Sequence, residues 1–234
     1  MDDLLRGQLA YYRARAGEYD EWFLRKGRHD RGPEWNRRWL CEVEEVREEL
    51  DAFGPTGDVL ELACGKGLWT VELARHADTI TAVDASPEVL DINRARLESV
   101  HPEVPVSHVL ADLFDWRPEG VYDAVFFGSW LSHVPPERFG AFWDLVRSAL
   151  RPGGRVFFVD SLGPEAPEEK RRLGWTPGDH TMLRRLNNGR EFQIYKIFYE
   201  PDELAMRLDE MGWNVSLGAT ENHLLYGFGS PEAS

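Results

Sequence analysis

One stretch constrains this chain more than any other. It is an apolar run that ends in a glycine turn, Val59-Leu60-Glu61-Leu62-Ala63-Cys64-Gly65-Lys66-Gly67-Leu68-Trp69-Thr70. An apolar run, then small residues, then a helical pattern reads as a strand, a tight turn and the start of a helix. Gly65 and Gly67 have no Cβ, so the backbone can turn sharply and a ligand can come close. The N–H groups of the following helix point into the same space and favour polar or anionic groups. Glu61, near the end of the strand, sets a carboxylate beside the turn, where it can accept hydrogen bonds from an amine or a ribose hydroxyl.

The same alternation repeats as far as residue 160. A strand over 59–63 and a helix over about 68–76 lead to a second strand, 79–83, which ends in Asp84. Ser86-Pro87-Glu88 opens a helix to about Val100; Ser86 is placed to cap it and Pro87 suits its first turn. Strands over 104–110 and 122–127 end at Ala111-Asp112 and Gly128-Ser129. A helix over about 136–150 passes through the turn Arg151-Pro152-Gly153-Gly154 into a fifth strand, 155–159, which ends at Asp160. Near-continuous apolar strands separated by helices predict a parallel sheet covered on both faces.

The ends of the chain depart from this rhythm. Residues 4–24 read as one helix or two short ones with an irregular apolar stripe. Its Tyr11, Tyr12 and Tyr19 either pack against a core or belong to a lid that closes over a ligand. A second helix runs from Pro33 to the stop at Gly54-Pro55. Residues 161–200 contain a polar, Pro-rich tract over 163–172. Two apolar stretches follow, flanking Asn187-Asn188-Gly189, a hairpin-type turn. A helix over 201–211 and two strands, 213–217 and 224–228, close the chain; their short connection demands antiparallel pairing. The expected organisation is a helical lid (1–54), a core (55–160), a cap insertion (161–200) and a closing helix and strand pair that complete the core (201–234).

Charge narrows the partners. With 41 acidic residues against 27 basic and a net charge of −14, the surface repels phosphate backbones, which argues against DNA or bulk RNA. The local basic stretch Arg25-Lys26-Gly27-Arg28-His29-Asp30-Arg31 reads as a solvated loop. Cys41 and Cys64 form neither a disulfide framework nor a metal-ligand pattern. His101, His108 and His133 have no acidic partner at ligand spacing, so no metal is expected. The acidic start, with no apolar run after it, and the lack of any membrane-length stretch lead to the expectation of a cytoplasmic protein that does not engage a membrane.

In an open parallel sheet, ligands bind outside the carboxyl ends of the strands. Here those ends carry the glycine turn, Asp84, Asp112, Gly128-Ser129 and Asp160. Asp84 stands where the second strand of a nucleotide-binding unit offers a carboxylate to ribose hydroxyls. A dinucleotide dehydrogenase uses the same plan, but the third glycine of its turn is Thr70 here, and Glu61 repels a pyrophosphate. A cofactor with a cationic end fits better. An NAD(P)-dependent oxidoreductase and a non-catalytic protein that keeps the cofactor site are the alternatives.

Glu61-Leu62-Ala63-Cys64-Gly65-Lys66-Gly67 resembles the first motif of class I S-adenosylmethionine-dependent methyltransferases, with Ala63 in place of that motif's usual first glycine. Asp84-Ala85-Ser86 looks like the ribose-binding end of the second strand. Ala111-Asp112-Leu113 looks like the adenine-contacting end of the third, and Tyr122-Asp123-Ala124-Val125 like the start of the fourth. Leu150-Arg151-Pro152-Gly153-Gly154 looks like the turn before the fifth. The resemblance covers roughly 55–160 and the closing strand pair. It implies an α/β, Rossmann-like fold with a seven-stranded, mostly parallel sheet, an antiparallel last strand and helices on both faces. It also implies methyl transfer by in-line displacement to an O, N, S or C nucleophile of a small molecule.

The resemblance further implies roles for single residues. Gly65 and Gly67 would admit the methionine end and the ribose of the cofactor, and Glu61 would support the turn or meet the methionine amine through water. Asp84 and Ala85 would serve the ribose, Asp112 the adenine amine and Leu113 the ring edge. Ala63, Gly128 and Tyr19 complete the cofactor set, Tyr19 within Glu18-Tyr19-Asp20, which is similar to a lid element of small-molecule members. The acceptor is expected beyond the fourth strand, around Ser129-Trp130-Leu131-Ser132-His133. His133 is the candidate general base, because an imidazole titrates near operating pH; the other reading is a histidine bonded to a backbone carbonyl. Tyr12, Trp130, His180 and Tyr195 are further acceptor-side candidates. The aromatic content of lid and insertion suits an aromatic or apolar small molecule. The turn at Asn188-Gly189 offers a surface for a homodimer.

Overall fold

The computed structural model describes residues 3–101, 103–164, 170–171 and 173–232. Within the Pro-rich tract expected over 163–172, residues 165–169 and 172 lie outside the described set. Seven α-helices are described: α1 (Asp3–Arg15), α2 (Tyr19–Phe23), α3 (Pro33–Phe53), α4 (Leu68–Leu73), α5 (Pro87–Val100), α6 (Phe139–Ala149) and α7 (Pro201–Asp209). The strands are β1 (Asp58–Leu62), β2 (Thr79–Asp84), β3 (Val106–Leu110), β4 (Tyr122–Gly128), β5 (Leu150–Ser161), β6 (Thr181–Arg185), β7 (Glu191–Tyr195), β8 (Trp213–Ala219) and β9 (Leu224–Pro231).

Seven strands make one sheet in the order β3-β2-β1-β4-β5-β9-β8. The first five pair in parallel, and β9 runs antiparallel between β5 and β8. This is the Rossmann-like arrangement expected, with the last strand inserted against the grain. The central strands read as continuous apolar runs because helices cover both of their faces: Val59, Leu60, Leu62, Val125, Phe127, Phe157 and Phe158 are fully buried. One core lies under α6 and α7, with Trp143, Trp213 and Phe139. The other lies under α3, α4 and α5, with Trp39, Val46, Leu50 and Phe126. Pro33 opens α3, and Gly54 (φ +57°) stops it by returning its N–H to the Leu50 carbonyl at 3.0 Å.

Two local expectations change. The turn expected over Arg151–Gly154 is a bulge inside a longer β5: Tyr122 pairs with Leu150, and Ala124 with Arg155. Gly153 (φ +82°) supplies the backbone conformation that this extra length requires. Ser86 is the N-cap residue of α5 but makes no side-chain cap; its hydroxyl donates to Glu88 at 2.8 Å.

The remaining pair, β6 and β7, forms a separate antiparallel hairpin around Asn187-Asn188-Gly189. It packs on α1 of its own chain through Tyr11, Leu186 and Ile194, joined by Tyr12, Ala14 and Phe192. β1 lies between β2 and β4, so the chain leaves it in opposite directions. The crevice at that switch point opens at the carboxyl ends, beneath α1 and α2.

Candidate functional site

The glycine turn is held from below. Ala63 adopts a left-handed conformation (φ +53°), the one a glycine takes without strain, and Gly65 (φ +54°) and Gly67 (φ +82°) follow it. Glu61 is buried and accepts a hydrogen bond from the Thr70 hydroxyl at 2.5 Å. Asn93 of α5 donates to Thr70 at 2.8 Å and to the Gly65 carbonyl at 3.3 Å. Burial pushes the Glu61 carboxyl up to about 8, against the Thr70 bond, which lowers it. Glu61 thus stands on a side recess of about 340 Å³ behind the turn. Gly67 packs against Asn93, where an added Cβ would lie 3.0 Å from the side-chain carbon. Neither Glu61 nor Gly67 lines the cavity at the strand ends.

The first cavity, about 870 Å³, is walled by the expected strand ends: Ala63, Gly65, Asp84, Ala85, Asp112, Leu113 and Gly128. Asp84 accepts from the Gly65 N–H and the Ser86 N–H, each at 3.0 Å, which fixes its carboxylate at the cavity wall. Burial still raises its pKa above the ordinary value. Asp112 accepts from the Phe114 N–H at 3.0 Å. Tyr19 lines the cavity from α2, and its ring lies 3.9 Å from where a Gly65 Cβ would be. Asp20 anchors that helix by pairing with Lys66 of the turn at 3.1 Å and with Arg96 of α5 at 2.7 Å. Among the described lining residues the cavity carries two carboxylates and no lysine or arginine.

A second cavity, about 1520 Å³, adjoins the first; Tyr12, Tyr19, Ser129 and His133 line both. At this junction His133 is buried, with Nδ1 2.6 Å from the Tyr195 carbonyl and Nε2 2.6 Å from the Tyr12 hydroxyl. The carbonyl accepts only, so Nδ1 carries the proton, and the free lone pair of Nε2 accepts from Tyr12. Burial first, then Lys196, pushes the imidazole down to about 3, so it stays neutral across the physiological range. The Tyr12 hydroxyl is raised well above its ordinary value by burial. Both readings of His133 meet here: it bonds a backbone carbonyl, and it also faces the cavities.

Trp130 lines the first cavity as expected. His180 and the Tyr195 side chain stand outside the linings of both cavities. His180 is exposed and offers its carbonyl to the Lys196 N–H; Tyr195 contributes backbone, bonding His133 and Gln8. His180 lies just before β6, and Tyr195 is the last residue of β7, next to the cavity-lining Lys196. The basic stretch expected to be a solvated loop also changes place: Arg25, Arg28, His29 and Arg31 line the second cavity.

Several site residues carried no motif. Gln8, on the buried face of α1 with Leu5, Tyr11 and Arg15, donates to the His133 carbonyl at 3.1 Å and accepts from the Tyr195 N–H at 2.9 Å. Lys196 is buried, donating to Ser132 at 2.8 Å and pairing with Asp160 at 3.3 Å. Burial works against the Asp160 charge, but Lys196, with the Ser132 and Ser161 N–H groups, holds its pKa below the ordinary value. Arg15 and Arg184 also line the second cavity. Only Asp160, as a strand end, had a signal. Among the described residues no group of three or more His, Cys, Asp or Glu gathers to hold a metal ion, and no helix is long and apolar enough to cross a membrane.

Known proteins match this arrangement. A family model described as a methyltransferase domain matches residues 59–154. The structure described as a DhpI-SAM-HEP complex is 39% identical, covers 99% of each chain and superposes with a TM-score of 0.79. The ubiquinone biosynthesis O-methyltransferase of Xanthomonas axonopodis pv. citri (strain 306) is 32% identical over 180 residues, 73% of this chain and 67% of that protein. Its counterpart in Xanthomonas campestris pv. campestris (strain B100) is 32% identical over 161 residues, and the match takes in 60% of its length. An S-adenosylmethionine-dependent methyltransferase structure from Clostridium acetobutylicum ATCC 824, 15% identical with a TM-score of 0.62 and covering 95% of this chain and all of that one, shares the fold.

Proposed function

The chain belongs to the class I S-adenosylmethionine-dependent methyltransferases, and on that premise we propose that it methylates a free small molecule held in the second cavity, across the junction formed by Tyr12, Tyr19, Ser129 and His133. One observation carries the reading: the first cavity is walled by Asp84 and Asp112 with no lysine or arginine among its described lining residues. A pyrophosphate would meet uncompensated negative charge there, whereas a cofactor with a sulfonium and an amine meets a favourable field.

S-adenosylmethionine bound there would supply a methyl group on a sulfonium for transfer to a lone pair of the acceptor. In this reading Asp84 holds the ribose hydroxyls, Asp112 the adenine amine, and the Leu113 backbone the ring edge. Ala63, Gly65, Ala85 and Gly128 let the cofactor approach the backbone, and Tyr19 covers it. The neutral His133 accepts a hydrogen bond from the Tyr12 hydroxyl and fixes it at the junction, so the pair orients the acceptor and excludes water. With its imidazole pushed down to about 3, His133 serves as a hydrogen-bonding post for Tyr12 rather than as the base. Residues 3–23 and 181–195 act as lid and cap, while α3 belongs to the core. The net charge of −14 supports a free small molecule over nucleic acid, and the two free cysteines, Cys41 and Cys64, support a reducing cytoplasm.

The test is a side-by-side comparison of melting temperatures with S-adenosylmethionine, S-adenosylhomocysteine and NAD(P)H. A ligand that binds the folded state alone raises apparent stability by mass action. A shift with the first two and none with the third is expected, and a shift with NAD(P)H alone would overturn the reading. Asp84→Ala is expected to weaken S-adenosylhomocysteine about tenfold or more, the loss of charge-assisted bonds. Unchanged affinity would remove Asp84 from its role.

A further inference from the structure

The second cavity inverts the charge of the molecule around it. The chain has 41 acidic residues against 27 basic, yet the described residues lining this cavity include six arginines, Lys196 and no carboxylate. The arginines converge from distant parts of the chain. Arg15 comes from α1; Arg25, Arg28 and Arg31 follow α2; Arg184 and Arg185 come from β6. Gathering cations in one concavity costs Coulomb repulsion unless an anion is to be bound there.

Some of these charges are already matched. Arg28 pairs with Glu18 at 3.2 Å, Arg185 with Glu191, and Lys196 with Asp160. Arg15 and Arg184 have no carboxylate partner among the described residues. Arg15 is only 9% exposed, its guanidinium lies 5.0 Å from the centre of the Tyr19 ring, and its Nε is buried without a hydrogen-bond partner. A buried guanidinium offset by aromatic rings, Tyr11, Tyr19 and Trp22, but by no carboxylate is expensive, and here it borders the cavity beside the junction residue Tyr19. The field is felt by a neighbour: His29 is pushed down to about 4, by its burial first and then by Arg15, Arg28, Arg25 and Arg184.

We propose that the methyl acceptor is a small molecule bearing an oxyanion, carboxylate or phosphoryl, which Arg15 and Arg184 clamp in the second cavity so that its nucleophile is presented past Tyr12 and His133 to the first. The aromatic walls then pack the rest of the molecule, as Trp22, Trp35 and Trp39 already pack Arg25. The proposal rests on the first cavity being the cofactor's. Guanidinium forks match both kinds of oxyanion with paired hydrogen bonds.

The experiment titrates protein saturated with S-adenosylhomocysteine with inorganic phosphate and, separately, with acetate, by calorimetry at fixed ionic strength. Wild type, Arg184→Gln, Arg15→Gln and Arg184→Lys are compared. Arg94→Gln, an exposed change on α5 where Arg94 pairs with Asp91, is the control for diffuse charge. At least one oxyanion is expected to bind wild type and the control alike. Each glutamine variant should weaken it about tenfold or more, Arg184→Lys should weaken it less, and S-adenosylhomocysteine affinity should stay within about twofold. Binding of phosphate alone names a phosphoryl acceptor, and of acetate alone a carboxylate. Three outcomes would overturn the proposal: no oxyanion binds, the oxyanion binds the glutamine variants as it binds wild type, or those variants chiefly weaken S-adenosylhomocysteine. The last would give the arginines to the cofactor's own carboxylate. Failure of S-adenosylhomocysteine to bind wild type, read in its own titration, would overturn the cofactor reading beneath.

Discussion

His133 shows how burial turns a residue that sequence alone marks as a base into a neutral hydrogen-bonding post. Its Nδ1 proton is committed to the Tyr195 carbonyl and its Nε2 to the Tyr12 hydroxyl, so a second proton would break one bond and bury a charge. The folded imidazole therefore titrates at about 3, against about 6.5 in the unfolded chain. Between those values the unfolded state binds the proton that the folded state refuses. The stability contributed by neutral His133 is thus complete above pH 6.5 and is lost as pH falls toward 3, by about 2 kcal/mol at pH 5. His133→Asn has no such group. Its melting temperature should fall less steeply than wild type's between pH 7 and 4.5; parallel curves would show that His133 ionises freely in the fold. The nitrogen shifts of His133 in NMR should stay flat from pH 8 to 5.

At the scale of elements, the glycine turn and the helix after it depend on a conformation and a close approach together. Gly67 caps α4 at φ +82° and faces Asn93, whose amide ties Thr70 and the Gly65 carbonyl. Gly67→Ala should cost about 1–3 kcal/mol in denaturant unfolding, from left-handed strain and a displaced Asn93. An unchanged midpoint would mean that the turn relaxes without strain. This part of the molecule was legible in the sequence, because glycines and strand-end carboxylates are read from neighbours in the chain. Asp84 and Asp112 sit where the alternation of strands and helices put them. What could not be read is what long-range packing decides. The stretch from Arg25 to Arg31 is polar and glycine-broken, as a loop should be, and nothing local says that Arg184, more than 150 positions away, faces the same space. His180 and Tyr195 were aromatic or titratable residues in the right segment, but the fold leaves the first exposed and uses the backbone of the second. Gln8 gave no signal at all: its partners, His133 and Tyr195, are joined only by the fold.

At the scale of the molecule, α1, α2 and the β6–β7 hairpin behave as one cover over both cavities. The apolar contact of Tyr11 with Leu186 and Ile194 joins α1 to the hairpin. Glu18, just before α2, accepts from the Asn187 N–H at 3.0 Å and pairs with Arg28, which in turn donates to the Arg185 carbonyl. Gln8 fastens the same assembly to His133 and to β7. Tyr12 and Tyr19 from this cover line both cavities, so ligands reaching the junction must either pass its edge or lift it. Few apolar contacts hold the cover compared with the two cores of the sheet, which places it at the low-stability end of the molecule. Amide exchange over residues 3–23 and 181–195 should therefore be faster than in β1, β4 and β5, and S-adenosylhomocysteine should slow both segments together. Glu18→Ala cuts the polar link between helices and hairpin without touching either cavity's strand ends. It should speed exchange in both segments and leave the central strands unchanged. If exchange changes in the helices while the hairpin holds its wild-type rate, the two are separate lids, and closure over cofactor and over acceptor are independent events.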